Sequence, residues 1–511
     1  MTRVTPRLPN VTARLTARVL PQKLSYRWVA MGVFLVGTFA VVLDTTIVNL
    51  ALPSLQHDFH TIDGVEWVVT AYLAAVGVAQ MASSWIADKV GRKRSFVALF
   101  AIFTIGSALC AAAPTLPLLV LARVIQGVGG GMLIPITMAM VYELFEPEER
   151  GQALGIWSVA VMAAPALGPV LGGTVVSQIG WRWLFLINVP VGLIGVPLAV
   201  RLLREVGAGK PRRLDGAGLA AAGVGIVLLL IGLAQGGIDG FGDPSAWVPL
   251  LSSALVVTGF VVHSLRVESP VIDLRILAHP VFGRGIVVLV ILFAANFSRL
   301  VFIPLELGVR QVDALTIGFV LLPAAVGTAI TITIGGRMTD RIGARVPVLI
   351  GSVFVALAFW FIAHFSPTTP LEVVAAWMFL SGLGSGLSMM PPNITAMNSV
   401  PAEKVSHATA LSQVLRQLSA AVGTAMLGAI YAATRPHDVH SAHYAQGAVD
   451  AYNTVFLVAF WMIVVALLLS FRLPGKREAL ALQAERRVER DAMRAEGTLV
   501  IDADGGITEV M

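Results

Sequence analysis

The sequence predicts an all-α polytopic membrane protein of fourteen transmembrane helices, built as two six-helix halves plus two inserted helices. Three observations lead there. Of 511 residues, 56% are hydrophobic and only 13% are charged, about half the roughly 25% usual in soluble domains. The apolar residues gather in long runs, and fourteen spans of about 20 residues need about 280 of them, nearly the whole apolar complement. Finally, several motifs recur at almost one offset along the chain. The composition excludes a soluble enzyme, a disordered chain and a small stapled domain. Continuous rather than alternating apolar runs exclude an outer-membrane barrel.

The runs fall at 28–51, 65–87, 96–113, 116–142, 151–178, 183–203, 216–235, 246–265, 281–305, 314–336, 346–364, 371–397, 405–432 and 451–471. Each is long enough to span at about 1.5 Å per residue. Residues 1–27 form a basic cytoplasmic segment; the first run is too long for a signal-peptide core and lacks a small-residue cleavage site, so it is read as a retained helix. Residues 28–203 make the first six-helix bundle, 204–280 an inserted helix pair with flanking loops, 281–471 the second bundle, and 472–511 a cytoplasmic tail. In the tail Ala484, Val488, Ala492 and Ala495 line one helical stripe, read either as a surface helix on the inner leaflet or as a solvated segment. Asp504-Gly505 marks a turn.

Charge sets the orientation. Net charge is +6, which reflects loop topology rather than nucleic-acid binding. With the N-terminus inside, 30 of the 36 Lys and Arg residues fall on inner segments, three (Arg182, Arg310, Arg435) in outer loops and three (Arg123, Arg299, Arg416) within spans. That asymmetry requires an even helix count with both termini in the cytoplasm. The single cysteine, Cys110, allows no intrachain disulfide and is read as a small packing residue.

The halves repeat. Asp88-Lys89-Val90-Gly91-Arg92-Lys93 matches Asp340-Arg341-Ile342-Gly343-Ala344-Arg345 at an offset of 252. Gly127, Gly129 and Gly131 recur as Gly382, Gly384 and Gly386, and Gly168 and Gly173 as Gly423 and Gly428, all at 255. Parallel halves around a midplane site are a transporter plan.

Few residues are left to carry chemistry. Asp44 lies inside the first span, where a carboxylate costs about 2.5–3.5 kcal/mol. Apolar surroundings disfavour its charged form, so it is a group that can take and release a proton. Arg123 lies at a similar depth, about 10 Å from the outer surface, and is the expected partner. A proton on Asp44 would then release the guanidinium. A permanently fixed ion pair is the alternative. In the loop Asp88–Arg94, Gly91 permits a tight turn, while Asp88 can cap a helix or pair with Arg92, with Glu143 an acid in reach. Positive-inside topology alone would explain the basic cluster, but the second copy, with Asp340 and Gly343, favours a gating role. In Gly168-Pro169-Val170-Leu171-Gly172-Gly173, Pro169 bends the helix and Gly168, Gly172 and Gly173 admit a close neighbour; taken alone this is a packing motif. Asn296, Arg299, Ile303 and Glu306 share one helical face. Glu306 either binds protons or a cationic substrate, or pairs with Arg310 four residues on. Gln413, Arg416 and Gln417 share another face, and Arg416, near mid-membrane, faces the cavity rather than lipid. Tyr72, Gln80, Gln126 and Asn393 are further cavity-lining candidates. His437, His440 and His443 are spaced by three and read as a solvated loop rather than a metal site.

Residues 43–53, Leu-Asp-Thr-Thr-Ile-Val-Asn-Leu-Ala-Leu-Pro, resemble the first-helix signature of the fourteen-helix drug:proton antiporters (EmrB/QacA type) of the major facilitator superfamily. Ala87–Arg94 is similar to that superfamily's inner-loop motif, with Ser84 where its leading glycine stands; the second copy keeps Gly336. Arg123 with Gln126-Gly127-Val128-Gly129 resembles the fourth-helix motif tied to proton transfer. Gly168–Gly173 resembles the fifth-helix antiporter motif, with Ala164 at a common glycine position. Residues 181–192 are close to a stretch typical of the fourteen-helix branch. After Pro304 the chain departs, carrying Glu306 and Gly308 where the family often has Tyr and Gln.

The resemblance implies a major facilitator fold and proton-coupled antiport exporting drugs or other amphipathic small molecules across the plasma membrane by alternating access. Asp44 would take protons from outside, driven by about 2.3 kcal/mol per charge per 100 mV. The implied partners are a small-molecule substrate, protons and the lipid bilayer, with no nucleic acid and a monomer as the working assembly. No phosphate-binding loop is present, no paired catalytic acids or nucleophile motif is seen, and no enzyme activity, metal or cofactor is expected. The rivals are a proton symporter importing a nutrient and a non-transporting membrane sensor.

Overall fold

The computed structural model describes residues 26–60, 65, 67–146, 149–205, 214–238, 240–401, 404–436, 444–478, 481, 484, 488, 499–501 and 507–509. The basic segment 1–25 and the histidines at 437, 440 and 443 lie outside the described residues, as do Ala492, Ala495 and the Asp504-Gly505 turn.

The first half begins with α1 (Tyr26–Ile47), a short 3-10 turn (Val48–Ala51) and α2 (Leu52–Asp58). It continues through α3 (Trp67–Val90), α4 (Arg92–Ala112), α5 (Leu116–Leu144), α6 (Arg150–Ile179), α7 (Arg182–Leu186) and α8 (Asn188–Leu202). The inserted pair is α9 (Gly216–Ile238) and α10 (Pro244–Arg266). The second half runs through α11 (Pro280–Val309), α12 (Ala314–Ile342), α13 (Arg345–Ile362), α14 (Leu371–Ser388), α15 (Met390–Asn398), α16 (Val405–Thr434) and α17 (Tyr444–Ser470). Thirteen helical stretches among the described residues are long and apolar enough to cross a membrane, and the 30-residue α6 matches the remaining apolar run.

Two expected spans are broken. The run 183–203 is divided between α7 and α8 at Ile187, and the run 371–397 between α14 and α15 at Met389. Pro391 and Pro392 at the start of α15 lack the N–H a continuous helix would use. The tail adds a small antiparallel hairpin, β1 (Leu499–Ile501) with β2 (Ile507–Glu509). Val488 is exposed.

Glycines decide how closely the rods pack. A Cβ on Gly129 would lie 2.5 Å from the Phe103 backbone nitrogen of α4, and one on Gly131 would lie 2.7 Å from Val76 of α3. The second half does the same: a Cβ on Gly384 would meet the Gly351 carbonyl of α13 at 2.5 Å. Gly386 is as tightly placed against Thr328 of α12. In each half one glycine-faced helix is thus wedged between two neighbours, which is the offset-255 repeat expressed as packing.

α9 and α10 pack on each other, and α9 also touches α3 and α16, one helix from each half. Asp215, before α9, accepts from His263 Nε2 at 2.9 Å, from the Gly218 N–H at 2.8 Å and from the Val271 N–H at 3.3 Å. Burial pushes this carboxyl up, but those hydrogen bonds outweigh it and hold it below the usual carboxylate range.

The halves meet at the end that carries the Asp88–Arg94 and Asp340–Arg345 loops. A Cβ on Gly155 would lie 2.8 Å from Thr333 Cα, so α6 and α12 touch backbone to backbone. Gly151 and Gly336 leave no room for a Cβ on either. Arg150 Nη1 donates to Asn398 Oδ1 at 2.6 Å, and Ser84 Oγ lies 3.4 Å from His407 Nδ1.

Candidate functional site

α4 and α5 approach so closely that a Cβ on Gly106 would lie 2.6 Å from Gln126 Cα. That contact brings Ser107, Cys110, Arg123 and Gln126 together in an apolar interior. Asp44 of α1 enters the same space; it is fully buried, and Arg123 is 1% exposed.

Arg123 Nη1 donates to Asp44 Oδ2 at 2.6 Å. Gln126 Nε2 and Asn188 Nδ2 donate to Asp44 Oδ1 at 2.9 and 3.0 Å. Both amides also donate to Ser107 Oγ, at 2.6 and 3.3 Å. Gln126 Oε1 in turn accepts from Arg123 Nη1 at 2.6 Å and from the Cys110 thiol at 3.5 Å. Arg123 Nε donates to the Val68 carbonyl at 3.0 Å, and its guanidinium lies 3.8 Å from the centroid of the Tyr72 ring. The carboxylate therefore collects three N–H donors from three side chains, one of them charged. The arginine keeps its proton at any physiological pH, so Asp44 is the member of the pair that can change charge. When it does, Arg123 still has Val68, Gln126 and the Tyr72 face.

Tyr72 and Gln126 are two of the cavity-lining candidates of the sequence. Both belong to this buried network: Tyr72 is 1% exposed and Gln126 fully buried. Asn188 and Ser107 were not singled out as site residues, and Cys110 was read as packing only. The signal for Asn188 was an amide at the head of an apolar run. A lone Ser or Cys inside a span carries no comparable signal.

The repeated loops have the geometry their glycines predict. Gly91 and Gly343 have φ of +91° and +83°, a region that favours glycine. Arg92 pairs with Glu143 of α5. Asp88 lines a small pocket with Trp85, Asp215, Ser269 and His407. Asp340 Oδ1 accepts from the Gly151 N–H at 3.3 Å, so the second copy caps the first turn of α6 in the opposite half. In the fifth-helix motif Gly168 packs against Thr46 of α1, where a Cβ would lie 2.6 Å from Oγ1. Gly172 is buried; the side-chain surroundings of Pro169 and Gly173 lie outside the described residues.

In the second half Asn296 Oδ1 accepts from Ser385 Oγ at 2.6 Å, and Arg299 Nη1 donates to Ser381 Oγ at 2.7 Å. Glu306 pairs with Arg310 at 3.3 Å, the second of its two sequence readings. Asn393 Oδ1 accepts from Ser412 at 3.0 Å. Gln413 Nε2 lies 3.2 Å from Met138 Sδ of α5, and Gln417 Nε2 lies 3.4 Å from the Leu73 carbonyl of α3. Arg416 bonds to Gln413. Gln80 and Gln417 line one apolar pocket between α3, α9 and α16.

Comparison with known proteins agrees with this architecture. Residues 34–424 match the family profile described as Major Facilitator Superfamily. The chain is 31% identical over 401 residues to the "Uncharacterized MFS-type transporter YhcA" of Bacillus subtilis (strain 168), covering 78% of this chain and 75% of that one. It is 31% identical over 400 residues to the "Multidrug resistance protein Stp" of Mycobacterium tuberculosis (strain CDC 1551 / Oshkosh), covering 78% and 74%. Among solved structures, the human organic anion transporter MFSD10 (TETRAN) superposes with a TM-score of 0.60 at 16% identity, over 86% of this chain and 99% of that one; at that identity the likeness carries the fold alone. The chain belongs to the major facilitator superfamily, as a multi-pass membrane transporter and not an enzyme.

Proposed function

We propose that the chain is a proton-coupled antiporter of the fourteen-helix drug:proton type, exporting amphipathic small molecules across the plasma membrane by alternating access. The observation that carries this reading is the buried carboxylate of Asp44, held by three N–H donors against an arginine that cannot discharge. The kinship with a multidrug resistance protein supports the direction and the substrate class. We assign the two halves to 28–203 and 281–471, the inserted pair to 204–280, and both termini to the cytoplasm.

The mechanism runs from the proton to the gate through α1 and α6. Ionised Asp44 ties α1 to α5 and α8. Protonation removes the acceptor that Arg123, Gln126 and Asn188 share, and turns the carboxyl into a donor. α1 then loses its lateral hold while Arg123 stays on Val68 and Tyr72. α6 packs on α1 through Gly168 and Thr46, and its other end is clasped to α12 at Gly151, Gly336 and Asp340. With the basic loops inside, that clasp shuts the cytoplasmic entrance. A proton entering from outside biases the clasp one way, and substrate from inside biases it the other.

Inside-out vesicles energised with a proton gradient test this. Gradient-dependent uptake of amphipathic compounds is expected, together with substrate-driven proton movement in the opposite direction. Full gradient-dependent transport by Asp44→Asn would remove Asp44 from the mechanism. Proton and substrate moving in the same direction would make the chain a symporter.

A further inference from the structure

Besides the Glu306–Arg310 pair near the end of α11, four described side chains carry charge inside the bundle away from the basic loops: Asp44 with Arg123, and, in the second half, Arg299 and Arg416. The first two neutralise each other. Among the described residues Arg299 bonds to a serine hydroxyl, Ser381 Oγ. Arg416 is 8% exposed, on α16, and its named partners are all neutral: the Gln413 amide oxygen, Met138 Sδ at 3.6 Å, and the Phe293 ring 5.5 Å away. Its Nε has no hydrogen-bond partner among the described residues. No Asp or Glu pairs with it among the described residues. A guanidinium keeps its charge when buried, and an intramembrane charge without a counterion is costly and functional by default.

Its position matters as much as its charge. Arg416 touches α5 of the first half and α11 of the second, and the next residue, Gln417, bonds to α3. It therefore sits where the halves meet and rock around a midplane site. Asn393, whose amide oxygen is taken by Ser412 one turn before Arg416, likewise has no acceptor for its Nδ2 among the described residues. Phe293 and Met138 add apolar surface beside the guanidinium.

We propose that Arg416 is the charge-recognition point for the transported molecule, and that this molecule is an amphipathic organic anion with a carboxylate or comparable oxyanion on an apolar, ring-bearing body. The oxyanion takes the free Nε edge of the guanidinium, and the ring lies against Phe293 and Met138. The proposal rests on the transporter reading above and deepens it by naming the substrate class. A fixed cation in the pathway also rejects cationic compounds, since like charge at close range is repelled.

Binding to the purified full chain, measured by equilibrium dialysis without a proton gradient, tests it. The probes are matched triplets on one aromatic skeleton, such as 4-phenylbutanoate with its primary amide and its primary amine, across several skeletons. The carboxylate is expected to bind tightest, by about tenfold over the amide and further over the amine. Arg416→Lys should keep that order with weaker binding, because it keeps the charge and loses the planar fork. Arg416→Gln should erase the order. In the wild-type chain the carboxylate, and not the amide, should protect Arg416 from dicarbonyl modification mapped by mass spectrometry, a readout that does not depend on a variant folding. The proposal is overturned if no triplet prefers its carboxylate, if the preference survives Arg416→Gln, or if the carboxylate gives no protection. Asp44→Asn separates the two readings: it should lose proton-driven flux and keep the anion preference. Absence of proton-driven flux in the wild-type chain, with the anion preference intact, would sink antiport and leave the anion site standing. Proton-driven export of cations alone would do the reverse.

Discussion

The two halves share a scaffold and differ in what it holds. Asp44 and Asn296 stand 252 residues apart, and Gln126 and Ser381 stand 255 apart, so each pair occupies matching places on matching helices. In both halves a glycine-faced helix is pressed between two neighbours, which squeezes water out and forces the polar side chains onto each other. In the first half this encloses a carboxylate, an arginine and two amides. In the second it encloses an amide, an arginine and two hydroxyls. Only the first arrangement contains a group that can change charge, because a guanidinium and an amide are fixed at any pH the cell reaches. One frame thus holds a carboxylate at the matched place in the first half and an amide in the second. The difference lies in a few polar residues on a common backbone plan.

The sharpest way to break this comparison is Asp44→Asn, which makes the first half resemble the second. Gradient-driven transport in inside-out vesicles should fall to background, about a hundredfold or more. Adding Asn296→Asp to that variant puts the carboxylate in the second half. We expect no recovery, since a charge there would tie α11 to α14 and leave α1 untouched; recovery would show the halves to be interchangeable. Overpacking tests the shared scaffold: Gly129→Ala and Gly384→Ala each drive a methyl into backbone and should each cost about 1–3 kcal/mol, read as similar drops in Tm in detergent. A large drop in only one would mean that the repeat is not a common packing device. A last pair, ending on the smallest effect, separates charged from neutral hydrogen bonds. Asn188→Ala removes a donor from a carboxylate and should cost about 1.5–3 kcal/mol, whereas Ser385→Ala removes a neutral bond and should cost about 1 kcal/mol. Thermal melts of the two purified variants check this order.

Hydropathy made the rods legible, because a span must be apolar for its whole length wherever it packs. The repeat was legible because glycine spacing and the loop motif are sequence-local. The kinship of Asp44 and Arg123 followed from rarity and depth, since two charges in a span at one level have few other partners. Their contact, by contrast, depends on how α1 leans on α5, and nothing local encodes that. The contacts of Tyr72 and Gln126 were hidden for the same reason: polarity in a span says that a side chain avoids lipid, but not whether it meets water or other side chains. The breaks at Ile187 and Met389 fell inside runs apolar enough to hide them. The neutral surroundings of Arg416 come from three helices in two halves and have no sequence signature.

The lone thiol has a practical consequence. Cys110 is fully buried and donates to Gln126 beside Asp44, so thiol reagents reach it only when that network opens. The natural chain is therefore already a near-silent background for cysteine labelling, and a single cysteine introduced at Thr333 would report on the opening of the clasp without prior removal of the native one. Slow labelling of Cys110 itself, quickened by Asp44→Asn at one fixed pH, would time the first movement of the cycle from within the protein.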